Sequence, residues 1–294
     1  MIYFSLVMLS IAAKSATGLR RAALRLRANT NALTAAPLQR GTALGACQTR
    51  LYATTADATD ASAVDPEIYA IPERAVDEAA IAHLVERHVR AHATYLAKRP
   101  VAAHTQAAFH EAAAFARRRG APLVVDAGCG TGLSTITLAA RFPEHTVIGV
   151  DRSEARLAKG GRVPANALLL RAELGSFWRL LSESDLDVQE TFLLYPNPYP
   201  KPKHLKMRWA GHATLPTLLG ACGSKLTVRA SWRTYLDELR CACTRAAELG
   251  VTSDLGASAA GPYPVEDLRD PLTRFEAKYA RANVPVYELV LGGS

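Results

Sequence analysis

Eleven residues, Val124 to Ser134 (VVDAGCGTGLS), constrain this chain more than any other stretch. An apolar run ends on an acid, glycines follow at every second position, and a helix-forming segment, LSTITLAARF, comes next. Gly128, Gly130 and Gly132 give a backbone that turns sharply and admits a ligand close to the main chain. The helix that follows offers N–H groups with no partner inside the helix. Two better-known nucleotide loops are excluded by residue identity. The G-x-G-x-x-G fingerprint needs glycine at 133, which is Leu133, and the Gly-Lys-Ser/Thr of the P-loop is absent. An acid, Asp126, ahead of alternating glycines suits a ligand that carries an amine rather than a pyrophosphate.

The rest of the chain supplies a matching frame. Apolar periodicity predicts two helices, 73–98 and 102–119, split at Pro100. Beyond them, short apolar runs predict strands at 122–126, 146–150, 166–171, 190–195, 224–230 and 285–291. Helices are expected between them at 132–141, 153–160, 175–183, 209–220 and 231–249. Strands alternating with helices imply an α/β fold, a doubly wound, mostly parallel sheet covered on both faces. Ligands of such sheets lie outside the carboxyl ends of the strands, where the strand order reverses. The second strand, TVIGVD, ends on Asp151, placed to accept hydrogen bonds from ribose hydroxyls. Glu173, just past the third strand, has two readings: a contact to the adenine edge, or a glutamate at a helix start.

Strand, acid, glycines and helix together resemble the first motif of class I S-adenosylmethionine (SAM) methyltransferases. That resemblance implies a seven-stranded Rossmann-like sheet with N-terminal helices. It also implies a SAM site formed by Asp126, Gly128, Gly130, Gly132, Asp151 and Glu173, with Asp126 toward the methionine end.

The fourth strand leads into TFLLYPNPYPKPKHLKMRW. Pro196, Pro198 and Pro200 fix an extended loop. Lys201, Lys203, His204, Lys206 and Arg208 follow, with Tyr195, Tyr199 and Trp209 around them. A basic stripe among aromatics suits phosphate contacts and base stacking. Here the chain is similar to the tRNA (guanine-N7)-methyltransferase family. The match runs through Pro196-Asn197-Pro198-Tyr199-Pro200-Lys201, then His204-Leu205-Lys206-Met207-Arg208, then Ala230-Ser231-Trp232 with Tyr235, and finally Thr273-Arg274-Phe275-Glu276. The resemblance implies tRNA as the partner. It places Lys201, His204, Lys206, Arg208, Trp232, Tyr235, Thr273 and Arg274 at the substrate and Asn197 and Glu276 at the reacting base. Two family aspartates are replaced, by Asn197 and Ser231. The chemistry tolerates this, because guanine N7 has an in-plane lone pair and no proton to remove. Glu276 is then the acid expected to stabilise charge on the purine.

Other readings stay open on the residues alone. Asn197-Pro198-Tyr199 comes near the Asn-Pro-Pro-Tyr of amino-group methyltransferases. The two lost acids also suit a catalytically silent RNA-binding subunit, and a small-molecule methyltransferase would not need the basic stripe.

Bulk charge does not choose among them. The net charge is +8, yet residues 1–56 hold seven of the 35 Lys and Arg and none of the 27 Asp and Glu, leaving 28 bases against 27 acids. An acid-free segment rich in Arg, Ala, Ser and Thr has the composition of an organelle transit peptide, mitochondrial first and plastid second. Its apolar opening, MIYFSLVMLSIAA, is shorter than the ~20 residues a membrane-spanning helix needs. The organisation expected is therefore a targeting segment at 1–56, a linker at 57–72, helices at 73–119 and the methyltransferase domain at 120–294. The five cysteines form neither a disulfide framework nor a zinc pattern. His83, His88 and His92 read as one face of a helix, and no metal is expected. Monomer and homodimer are both compatible with the sequence.

Overall fold

The computed structural model describes residues 71–251, 255 and 259–292. The chain divides into two units, 1–61 and 62–294, and the described residues belong to the second. The basic segment at 1–56 and all of the expected linker except Ile71 and Pro72 lie outside the described residues.

The first helix, α1 (Glu78–Ala97), starts five residues later than its periodicity suggests. Asp77 caps it by accepting from the Ala80 N–H at 3.0 Å. Glu73 and Arg74 are held elsewhere, as described below. The second, α2 (Ala103–Arg119), buries Ala108, Phe109, Ala112, Ala113 and Ala116 and stops at Gly120 in the left-handed region.

Seven strands follow: β1 (Leu123–Ala127), β2 (Thr146–Asp151), β3 (Ala167–Arg171), β4 (Val188–Leu194), β5 (Lys225–Ala230), β6 (Ala260–Pro264) and β7 (Tyr287–Gly292). They form one sheet in the order β3-β2-β1-β4-β5-β7-β6, with β1 to β5 parallel and β7 antiparallel between β5 and β6. This is the Rossmann-like class I methyltransferase architecture. β6 was absent from the sequence pattern, because its AGPYP reads as a turn; as an edge strand it tolerates proline.

The helices between the strands are α3 (Leu133–Arg141), α4 (Glu154–Leu157), α5 (Leu174–Glu183), α6 (Leu215–Ala221), α7 (Arg233–Glu248) and α8 (Arg274–Arg281). The helix expected over 153–160 is a single turn, and the one expected over 209–220 is a short 3-10 turn, Trp209–Gly211, followed by α6. Pro216 in the first turn of α6 explains that restart.

Neighbouring residues of β1 point to different cores. Leu123, Val125 and Ala127 join the larger one, with Phe109, Phe177, Trp178, Leu218 and Leu236, while Val124 joins Leu138, Val147 and Phe192. Both sheet faces are covered, which is why β1 and β2 are buried throughout. The chain winds outward from β1 through β2 and β3, then returns to β4 and β5 on the other side. The order therefore reverses at the carboxyl ends of β1 and β4, where the glycine loop and the proline loop begin. Among the described residues no helix is long and apolar enough to cross a membrane.

Candidate active site

The glycine loop is fastened to the end of β2. The N–H groups of Gly128 and Cys129 donate to the Val150 carbonyl at 2.8 and 3.1 Å. Gly128 and Gly130 hold φ of +82° and +61°, and a Cβ on either would enter space with no atom within 4 Å. Gly132 shares the positive φ, +82°, and has a further reason to be glycine: a Cβ there would lie 2.5 Å from the Leu169 side chain.

Beneath the loop, Asp126 is 1% exposed. Its Oδ2 accepts from the Ser134 and Thr135 hydroxyls of α3 at 2.6 and 2.7 Å. Its Oδ1 is buried with no hydrogen-bond partner. Burial pushes the carboxyl pKa up to about 6; the two hydroxyls oppose this and the Asp151 charge adds to it. Asp151 is buried too, and accepts from the Gly130 N–H on Oδ2 at 3.0 Å and from the Ser153 N–H on Oδ1 at 2.7 Å. Arg156, half exposed on α4, approaches Oδ1 at 3.1 Å.

The SAM implied by the sequence resemblance fits these residues. The orphaned Oδ1 of Asp126 suits a cationic amine, and the empty space above Gly128 and Gly130 suits close approach of a ligand to the backbone. Glu173 has the second of its two readings: its carboxylate accepts from the N–H groups of Gly175 and Ser176 at 2.8 and 2.7 Å, capping α5.

Across the cleft stands the proline loop. Tyr195 and Tyr199 take positive φ, +52° and +42°, and the Asn197 Oδ1 accepts from the Tyr199 N–H at 3.3 Å. Asn197, Lys201, Lys203 and Lys206 are exposed, and His204 is half-buried, edge-on to Tyr199.

Arg208, expected at phosphate, is instead 1% exposed. It grips Glu238 of α7 with Nε and Nη2 at 2.5 and 3.0 Å, and donates from Nη1 to the Tyr199 carbonyl at 2.7 Å. Arg74 shares the same carboxylate at 2.9 Å and donates to the Pro200 carbonyl at 2.7 Å. One glutamate thus anchors two guanidinium groups, and each of these ties down a carbonyl of the proline loop. A buried, bidentate pair of this kind is a support, and no surface of Arg208 is left for RNA.

Trp232 and Tyr235, expected at the substrate, line the cleft and also brace its wall. Trp232 lies between Arg74 and Arg208, 5.0 and 5.6 Å from its ring, and donates to the Pro72 carbonyl at 3.3 Å. Tyr235 is buried, and its hydroxyl accepts from the Trp209 N–H at 3.2 Å. Glu73 completes the arrangement by accepting from the N–H groups of Arg233 and Thr234 at the start of α7, at 2.9 and 2.8 Å.

The last motif behaves similarly. Thr273 caps α8 by accepting from the Glu276 N–H at 3.0 Å. Glu276, expected to face the purine, is 0% exposed. Its Oε1 pairs with Arg229 of β5 at 3.1 Å and its Oε2 accepts from the Leu272 N–H at 2.6 Å. With both oxygens engaged and no open surface, it locks α8 to the sheet; direct contact with a base is not what this geometry offers. Arg274 stays exposed.

A cleft of about 410 Å³ is lined by Arg156 from the glycine-loop side and by Tyr195, Asn197, Ser231, Trp232 and Phe275 among others; the glycines, Asp126 and Asp151 are not among its lining residues. Sequence reasoning missed Arg156, Phe275 and Tyr279 there, and Glu73, Arg74 and Glu238 behind it. The spacing of Phe275 and Tyr279, one helical turn apart after a capping threonine, was the available signal. Among the described residues no group of three or more His, Cys, Asp or Glu is gathered to hold a metal.

Comparisons with known proteins bear on the family of the chain. The family described as "Putative methyltransferase" matches residues 120–289. The tRNA (guanine-N(7)-)-methyltransferase of Nocardia farcinica is 31% identical over 194 residues, covering 59% of this chain and 68% of that protein. The enzyme of the same name from Nocardioides sp. is 33% identical over 129 residues, 41% of this chain and 51% of that one. A trans-aconitate 2-methyltransferase of Deinococcus radiodurans is 42% identical over 80 residues, 26% of this chain and 30% of that protein. The chain thus spans about half of the second relative and under a third of the third. By the extent of the first two matches and the order of its strands, the chain belongs to the tRNA (guanine-N(7)-)-methyltransferase family.

Proposed function

We propose that this protein transfers a methyl group from SAM to N7 of a guanine in tRNA. The observation that carries the reading is a glycine cradle over the buried, unpaired Oδ1 of Asp126, linked through Arg156 to a cleft walled by the anchored proline loop. Lys201, Lys203 and Lys206 stand exposed on the same loop and on the 3-10 turn Pro202–Met207 that continues it. When bound, SAM supplies an electrophilic methyl group on a sulfonium. The chain's own residues need only align the base and exclude water, since N7 has no proton to lose. Asp126 would hold the donor's amine and Asp151 its ribose, with Arg156 beside Asp151 at the edge of that site. Asn197, exposed at the cleft, offers its amide N–H groups to the guanine O6 while its oxygen accepts from the Tyr199 N–H.

Radiolabelled SAM incubated with the protein and total tRNA, followed by nucleoside digestion, tests the reading. 7-Methylguanosine is expected; another modified base, or none, overturns it. The acid-free residues 1–56 support delivery to a mitochondrion, with a plastid as the alternative. A fluorescent fusion of residues 1–65 that stays in the cytosol would remove that part.

A further inference from the structure

Methylation at N7 leaves the purine positively charged, and the residues lining the cleft include no aspartate or glutamate to meet that charge. Glu276 lies buried beneath, with both oxygens engaged. What the cleft does present is aromatic surface. Phe275 is 57% exposed, one of three large hydrophobic side chains left open among the described residues, and it lines the cleft. Its ring is backed by two others. Tyr279, one turn further along α8, stacks with it at 6.3 Å and 28°, and Tyr195 meets it at 6.1 Å and Tyr279 at 5.5 Å.

Two features hold this cluster in place. Tyr195 keeps φ at +52°, a region a bulky residue seldom occupies, so its surroundings determine it. Thr273 and Glu276, on either side of Arg274 and Phe275, lock the first turn of α8.

We propose that Phe275, backed by Tyr279 and Tyr195, is a cation-selective platform on which the target purine stacks. The inference rests on the methyl-transfer reading and names the group that stabilises its charge. As the carbon–N7 bond forms and the carbon–sulfur bond breaks, the sulfur keeps the electron pair and becomes a neutral thioether. The positive charge passes to the purine, and the negative faces of the rings attract it more than they attract the neutral base.

The experiment uses the protein saturated with S-adenosylhomocysteine, titrated with 7-methylguanosine 5′-monophosphate or guanosine 5′-monophosphate and followed by tryptophan fluorescence, since Trp232 lines the cleft. The methylated nucleotide is expected to bind about five- to tenfold more tightly. Phe275→Leu should bring that ratio to about one, and Phe275→Trp should preserve it. Both variants should unfold at the native temperature, as the site is exposed. Equal affinities in the native protein, no measurable binding of the methylated nucleotide, or a ratio untouched by Phe275→Leu overturns the proposal. Digestion of tRNA treated with the native protein separates the two failures. If 7-methylguanosine is missing, the reaction itself is wrong. If it is present but the platform shows no selectivity, only this inference falls.

Discussion

On the β1–β2 side of the cleft, the hydrogen bonds that arrange Asp126, the glycine loop and Asp151 join residues no more than 22 positions apart. On the β4–β5 side, Arg208, Trp232, Tyr235 and Arg74 depend on partners 26 to 164 positions away. The first wall is one contiguous motif closed by the end of the next strand, with one oxygen of Asp126 left without a partner. The second is assembled from three distant segments, and most of its charged and aromatic residues serve to stiffen it. A cleft for methyl transfer needs both: a donor site that can open to its ligand and an acceptor wall that does not yield.

The largest effect expected from this contrast is at Glu238. Glu238→Ala leaves the buried Arg208 without a carboxylate and frees Arg74, and should cost about 3–5 kcal/mol in stability. Denaturant unfolding measures this directly. A stability equal to the native would mean that the rim is not held from within.

Glu276→Gln should be milder, because shape and one hydrogen bond survive. A loss of about 1–3 kcal/mol is expected from the weakened contact to Arg229. Methyl transfer should fall only modestly, in step with looser seating of α8. A hundredfold loss of turnover with the melting temperature unchanged would return Glu276 to the reacting base.

The last effect is pH-dependent and belongs to the donor side. With a folded-state pKa of about 6, above its ordinary value of 3.8, Asp126 favours folding most when protonated. That contribution, about 3 kcal/mol, is complete below the ordinary value and is lost as pH rises through 6. An ammonium group binds the ionised form, so SAM should raise the melting temperature more at pH 7 than at pH 5. Below pH 6 its affinity should fall about tenfold per pH unit. In Asp126→Asn both trends should flatten; if they persist, the amine is held elsewhere.

The same contrast explains what could be read before the fold was known. Asp126, the three glycines and Asp151 were legible because strand, turn and helix are adjacent in sequence and the backbone alone requires glycine there. Arg208 was misplaced because a run such as KPKHLKMR looks the same whether its last arginine faces solvent or a buried glutamate. The missing clue was Glu238, which lies on the apolar face of α7 among Tyr235, Leu239 and Ala242. A glutamate in such a position calls for a cationic partner, but the sequence does not say which. Glu276 was misassigned in the same way, since its partner Arg229 comes from β5, 47 positions earlier. Strand β6 was hidden by its own prolines.

Calorimetric titration of the purified protein with SAM and with S-adenosylhomocysteine tests the central claim most directly. The account predicts one saturable site for each, weakened in Asp151→Ala and preserved in Phe275→Leu. No heat from either compound, at a concentration where the protein is folded, would contradict it.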